Sequence, residues 1–131
     1  MGQLKMEPCL QSEFDGLIKA GRTGRADARN AALADQSRFA LAYNAAHAFA
    51  LAALRWHGYR SQNRYIVFQA VPHTLGLDAN ITRVLSKAHQ QRNLAEYEGQ
   101  FAVDTQFLAD LLNAVAQLEA KVGGLGPVPA T

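Results

Sequence analysis

The segment RNLAEYEG (92–99) carries an arginine, an asparagine, two glutamates and a tyrosine within about two helical turns, donors and acceptors that can pair with one another or meet a ligand. Arg92 is the residue that most needs explaining. At 100° per residue, with Ile81 as origin, Leu85 lies at about 40°, Ala88 at about 340°, Ala95 at about 320° and Arg92 at about 20°. Arg92 is therefore expected in the middle of an apolar stripe. A guanidinium stays charged at any relevant pH, so turning it inward is costly unless it is paired or lines a wet cleft. Glu96, one turn later, is the nearest candidate partner. Two readings follow: Arg92 snorkels past the core into an intrahelical pair with Glu96, or it opens onto a functional cleft.

Other side chains could join such a cleft. His89 precedes Arg92 by three positions, and Asn93 follows it directly. Tyr97 lies about 140° from Arg92 around the helix, so the two cannot share one face and a complete site needs a second element. Tyr43 sits in the broad apolar arc of an earlier helix, where core packing with one hydroxyl hydrogen bond is the ordinary role and a place in the cleft the functional one. His47 lies beside the polar stripe of that helix, as a partly buried histidine or a catalytic one. Trp56 and Tyr59, beside Arg55 and Arg60, could stack on a base or anchor the helix end. His57 is placed to meet a helix dipole, and His73 follows Pro72 in a loop. No two histidines have the spacing of a metal pair, and Cys9 stands alone, so neither a metal site, a cofactor nor an internal disulfide is expected.

These residues need helices to position them. Leu10, Phe14, Leu17 and Ile18 predict a short first helix, with Gly21 suited to end it and Gly24 in the turn. From Ala26 to His57 there is neither proline nor glycine, and the alanine-rich stretch predicts a central helix buried on most sides, its polar stripe formed by Ser37, Asn44 and Arg55. Residues 61–71 have a strand-compatible run at Tyr65–Phe68. A helix capped by Ser61 and stopped at Pro72 is preferred over extended chain, because a lone strand would have no partner for its backbone. A helix over 80–98 with Asn80 as cap and Gly99 as terminator follows. Asp104 caps a last amphipathic helix, with Val103 and Leu108 as a hydrophobic staple. The fold predicted is all-α: an antiparallel up-and-down four-helix bundle with a short additional N-terminal helix. Residues 1–122 form the domain, and the tail 123–131, with nothing to bury, is expected to be disordered.

Composition sets the outer bounds. A chain of 131 residues with 49% hydrophobic and 18% charged residues suits one globular domain. No apolar run approaches the roughly 18 residues of a membrane span. MGQLKMEPCL lacks the apolar core of a signal peptide, so a cytoplasmic location without membrane association is expected. The net charge of +2 does not argue for nucleic acid. Its distribution is more suggestive, with Arg22, Arg25 and Arg29 in one stretch and Arg55, Arg60 and Arg64 in another; both read as solvated connectors.

Beyond the residues themselves, the chain resembles the HEPN superfamily over roughly residues 10–122. Ribonuclease members of that superfamily carry an Arg, a polar residue such as Asn, and then a His near the end of the penultimate long helix. Arg92-Asn93 opens that pattern, but the position five after the arginine is Tyr97. Arg92, Ala95, Glu96 and Tyr97 look more like the Arg-x-x-Ala-Asp-Tyr signature of a small stand-alone branch. FALAYNAAHAFALAALRWHGYR (39–60) is similar to the family's second helix. The resemblance implies a homodimer whose arginine-bearing helices meet in a composite cleft, with links to toxin–antitoxin modules and to nucleotidyltransferase partners. It makes Arg92, Asn93, Glu96, Tyr97, Tyr43 and His89 the candidates for nucleotide or RNA binding, and Arg92, Tyr97 and His47 those for catalysis. A phenol is a weak general base at neutral pH, so a non-catalytic binding module is expected. A metal-independent ribonuclease using Arg92 and a non-standard histidine, and a protein-interaction bundle with no nucleic-acid role, are the alternatives.

Overall fold

A computed structural model describes residues 4–99 and 102–129. The described residues are mainly helical: α1 Gln11–Ala28, α2 Asp35–Trp56, α3 Arg64–Gln69, α4 Val71–Leu75, α5 Ala79–Glu98 and α6 Thr105–Gly123. Two short strands, β1 Lys5–Met6 and β2 Tyr59–Arg60, pair antiparallel. No helix of the described residues is long and apolar enough to cross a membrane.

The first helix corrects the expectation. It is 18 residues long and runs straight through Gly21 and Gly24, so the turn falls after Ala28 and the central helix begins at Asp35. These glycines serve approach rather than termination. A Cβ on Gly21 would stand 2.5 Å from Cε1 of Phe49, and one on Gly24 would stand 3.2 Å from the Ala45 Cβ. Absence of side chains lets α1 lie close along the alanine face of α2.

α2 is the spine, as its alanines predict. It buries Phe39, Tyr43, Phe49 and Leu54 together with most of its alanines, and it packs against α1, α3, α4, α5 and α6. α6 offers the amphipathic stripe Phe107, Leu108, Leu111, Val115, Leu118 and Val122 to this core. Its N-cap is Asp104, which accepts a hydrogen bond from the Gln106 N–H, and Val103 packs partly against the core.

Residues 61–71 contain helix, as expected, but the cap differs. Asn63 rather than Ser61 accepts from the Ile66 N–H, while Ser61 Oγ accepts from the Asn63 N–H. Pro72 does not stop the chain; it stands in the first turn of α4, where its missing N–H costs nothing. α5 is capped by Asp78, not Asn80, and ends at Gly99 with φ of 85°, a left-handed conformation that glycine adopts without strain.

Three further expectations are corrected. Arg55 is not part of a solvated stripe but is 1% exposed. The tail over 124–129 does not lack contacts: Leu125 and Val128 pack against the core, Trp56 Nε1 donates to the Gly126 and Pro127 carbonyls, and the Val128 N–H donates to Gln11 Oε1. Residues 130 and 131 of that tail, and 1–3, 100 and 101 of the domain, lie outside the described residues. Trp56 thus acts as an anchor. The arginines of α1 belong to a helix, not a connector, where Arg22 and Arg25 pair with Glu119 of α6.

Candidate functional site

The site grows from the contact between α2, α3 and α5. Tyr43 presents its ring at the α2 surface under these helices and is 1% exposed, so its hydroxyl requires a partner. His89 of α5 provides it: Tyr43 Oη and His89 Nδ1 are 2.9 Å apart. On the other side of the imidazole, Asn93 Nδ2 lies 3.3 Å from Nε2. With that amide donating, Nε2 is the acceptor, the imidazole proton sits on Nδ1, and it is donated to Tyr43. The phenol hydrogen is then left for a second acceptor.

Two guanidinium groups close on the same ring. Cζ of Arg92 stands 5.3 Å and Cζ of Arg64 stands 5.5 Å from the Tyr43 centroid, within cation–π range. Arg92 also forms the expected pair with Glu96, Nη2 to Oε1 at 3.0 Å, and is 34% exposed. Arg92 therefore pairs along its helix and also lines an opening. Arg64 donates to Asn44 Oδ1 at 3.3 Å and, among the described residues, makes no ion pair with a carboxylate.

The opening is a cavity of about 370 Å³. Phe39, Ala40, Tyr43 and Ala95 form its apolar wall; Gln36, Asn44, Arg92 and Glu96 supply the polar groups, with Gly99 at its end. This combination of an apolar wall and a few convergent polar groups is what small-ligand sites provide.

Charge tunes the histidines. His47, edge-on to Phe68 at 6.0 Å between centroids, is pushed down to about 4 by burial, then by Arg64, Arg92 and His89. His89 is lowered by burial, then by Arg92 and Arg64. Both imidazoles are consequently neutral at pH 7, so the charges around Tyr43 are two guanidinium groups, of which Arg92 lines the cavity, and the Glu96 carboxylate. An arrangement of that sign attracts an anion with acceptor oxygens, and arginine presents donors in the geometry a phosphate accepts.

Of the residues expected from sequence, Arg92, Glu96, Tyr43, His89 and Asn93 come together, and His47 stands nearby. Tyr97 does not join them. It is 91% exposed on another face of α5 and lines no part of the cavity. Sequence reasoning missed Arg64 and Asn44, one assigned to a connector and the other to a solvated stripe. Neither carries a local signal, because each reaches the site only through the packing of α3 on α2 and α5. Among the described residues, no three His, Cys, Asp or Glu side chains converge as metal ligands. Comparison with protein-family models, curated proteins and solved structures gives no match for this chain.

Proposed function

We propose that this chain is a HEPN-like helical binding module whose Tyr43 cavity takes the phosphate of a nucleotide or of RNA. The observation that carries the reading is the convergence of Arg64 and Arg92 on one buried tyrosine, with Glu96 as the single carboxylate and the imidazoles of His47 and His89 held neutral beside them. Such a site favours phosphate over a cation and supplies stacking-compatible apolar wall for the rest of a nucleotide.

In this reading α1, α2, α5 and α6 are the four members of an antiparallel up-and-down bundle, and the module works in the cytoplasm as a homodimer. Support for a dimer comes from Leu94 and Tyr97, 53% and 91% exposed on the arginine-bearing helix. Two exposed apolar side chains three residues apart at one helix end suit contact with a second copy. Tyr97 is then an interface residue rather than a catalytic one, and a nucleotidyltransferase of a toxin–antitoxin pair is the protein partner that the family resemblance suggests. A metal-independent ribonuclease is the second reading. It is favoured by one observation, the neutral imidazole of His89 on the same helix face as Arg92, where the imidazole is the proton acceptor and the guanidinium holds the phosphate.

Titration of the full chain with a fluorescein-labelled oligouridylate, followed by anisotropy and by gel, tests both. Binding without cleavage that Arg92→Ala weakens at least tenfold supports the module. Cleavage that persists in EDTA and is lost in Arg92→Ala supports the ribonuclease, and no interaction with either uridine monophosphate or RNA removes both.

A further inference from the structure

The net charge of the molecule hides an asymmetry. Between residues 79 and 95 there is no aspartate or glutamate, whereas Arg83, Lys87 and Arg92 all lie there; over 61–77 there is again no carboxylate, and Arg64 lies there. Asp78 separates the two stretches, and its carboxylate is spent on capping α5. The layer formed by α3, α4 and the first four turns of α5 is thus cationic, while Glu96 and Glu98 lie at the far end of α5 and Glu7, Glu13, Asp15 and Glu119 sit on or before α1 and on α6.

Within that layer, away from the Tyr43 cavity, runs a groove of about 690 Å³ between α3–α4 and α5. Gln69, His73, Arg83, Ser86, Lys87 and Gln90 line it, and no carboxylate does. Gln69 Nε2 donates to Ser86 Oγ at 2.8 Å, fixing two neutral groups across the groove. Arg83 spends one N–H on Asn80 Oδ1, and the Lys87 ammonium rests 4.6 Å from the Phe107 centroid. Among the described residues neither cation is in an ion pair, so both are open to an anionic ligand. They are one helical turn apart, about 6 Å along the axis, and among the described residues that line the groove His73 carries the one aromatic ring.

We propose that this groove binds the phosphodiester backbone of a single-stranded RNA, independently of its sequence, with Arg83 and Lys87 each neutralising one phosphate. Amide, hydroxyl, imidazole and cationic donors without competing carboxylates are the inventory of a backbone-positioning surface. The identity of the ligand rests on the phosphate reading of the Tyr43 cavity; the groove itself does not. Lys87 and Arg92 differ by roughly 7.5 Å along α5 and 140° around it, so a strand in the groove continues toward the cavity only by crossing α5.

The test compares uridine monophosphate with a twelve-residue oligouridylate on the full chain, measured across a salt series. The native chain binds the oligomer more tightly than the monophosphate. Arg83→Gln with Lys87→Gln lowers oligomer affinity about tenfold at 100 mM salt and reduces the slope of log affinity against log salt by about 1.4, the value for two phosphates on a single strand. The same pair leaves monophosphate binding unchanged, whereas Arg92→Ala removes it. Lys19→Gln with Lys121→Gln, which deletes equal charge elsewhere, serves as control. The groove is overturned if the control pair weakens the oligomer as much, if polyglutamate competes as well as RNA at equal charge, or if the oligomer gains nothing over the monophosphate. Loss of monophosphate binding with the length-dependent gain intact overturns the cavity reading instead.

Discussion

Arg55 and Arg92 differ in one respect of their surroundings that separates structure from function. Arg55, at the end of α2, is 1% exposed and uses its donors fully: Nε and Nη2 on Glu13, Nη1 on the Glu7 and Tyr59 carbonyls, and Nη2 also on the Pro8 carbonyl. Arg60 joins Glu7 and Glu13 around it. This cluster ties the N-terminal strand, the start of α1 and the end of α2 into one unit. Arg92 is 34% exposed, pairs with one exposed carboxylate, and rests over a ring. A saturated guanidinium holds a fold together; an unsaturated one at a cavity can exchange partners with a ligand.

The largest effect should come from breaking the saturated cluster. Arg55→Ala strands the Glu13 carboxylate and three carbonyls and is expected to cost about 3–5 kcal/mol in urea denaturation. A loss below about 1 kcal/mol would erase the distinction between the two arginines.

Acid should weaken the cavity side next. His47 is lowered to about 4 from an unfolded value near 6.5, so the unfolded chain takes up a proton first and the fold loses stability as pH falls through that window. Between pH 7 and pH 4.5 the loss is on the order of 2 kcal/mol, and His47→Gln should largely flatten it. Glu13 has the opposite charge and a different window: its carboxyl is held down by the hydrogen bond from Arg55, so its contribution is complete above about pH 4.5 and disappears below that as it protonates. Denaturation profiles that decline only below pH 4.5 would locate the acid sensitivity at Arg55 rather than at His47.

Arg92→Ala should leave stability within about 1 kcal/mol, since an exposed pair one turn apart contributes little. Its cost should fall on oligouridylate binding, at least tenfold. Stability loss matching that of Arg55→Ala would make Arg92 structural too. The smallest effect concerns Glu96, which is 60% exposed and occupies the guanidinium that a phosphate would need. Glu96→Gln should raise affinity for the oligomer a few-fold, on the order of 0.5–1 kcal/mol, by removing a competing anion. Unchanged or weaker binding in isothermal titration would argue that Glu96 contacts the ligand instead.

Periodicity and punctuation made much of the helical framework legible before any tertiary contact was considered. The stripes of α5 and α6, the alanine spine, the Asp104 cap and the Gly99 terminator each follow from a local rule. Gly21 and Gly24 did not, because a glycine that ends a helix and a glycine that admits a neighbouring ring are the same residue in sequence. Ser61 and Asn63, or Asp78 and Asn80, are likewise near-equal cap candidates, and the backbone path around them decides which side chain meets the free N–H groups.

The candidate site divides the same way. That Arg92 faces inward and that Glu96 lies within its reach are consequences of helical spacing, readable on one segment. That Tyr43 and Arg64 complete the site, that Tyr97 leaves it, and that Arg55 is buried among acceptors depend on residues far apart in the chain. Burial of a charge is decided by what surrounds it on all sides, and a single helix supplies only one side.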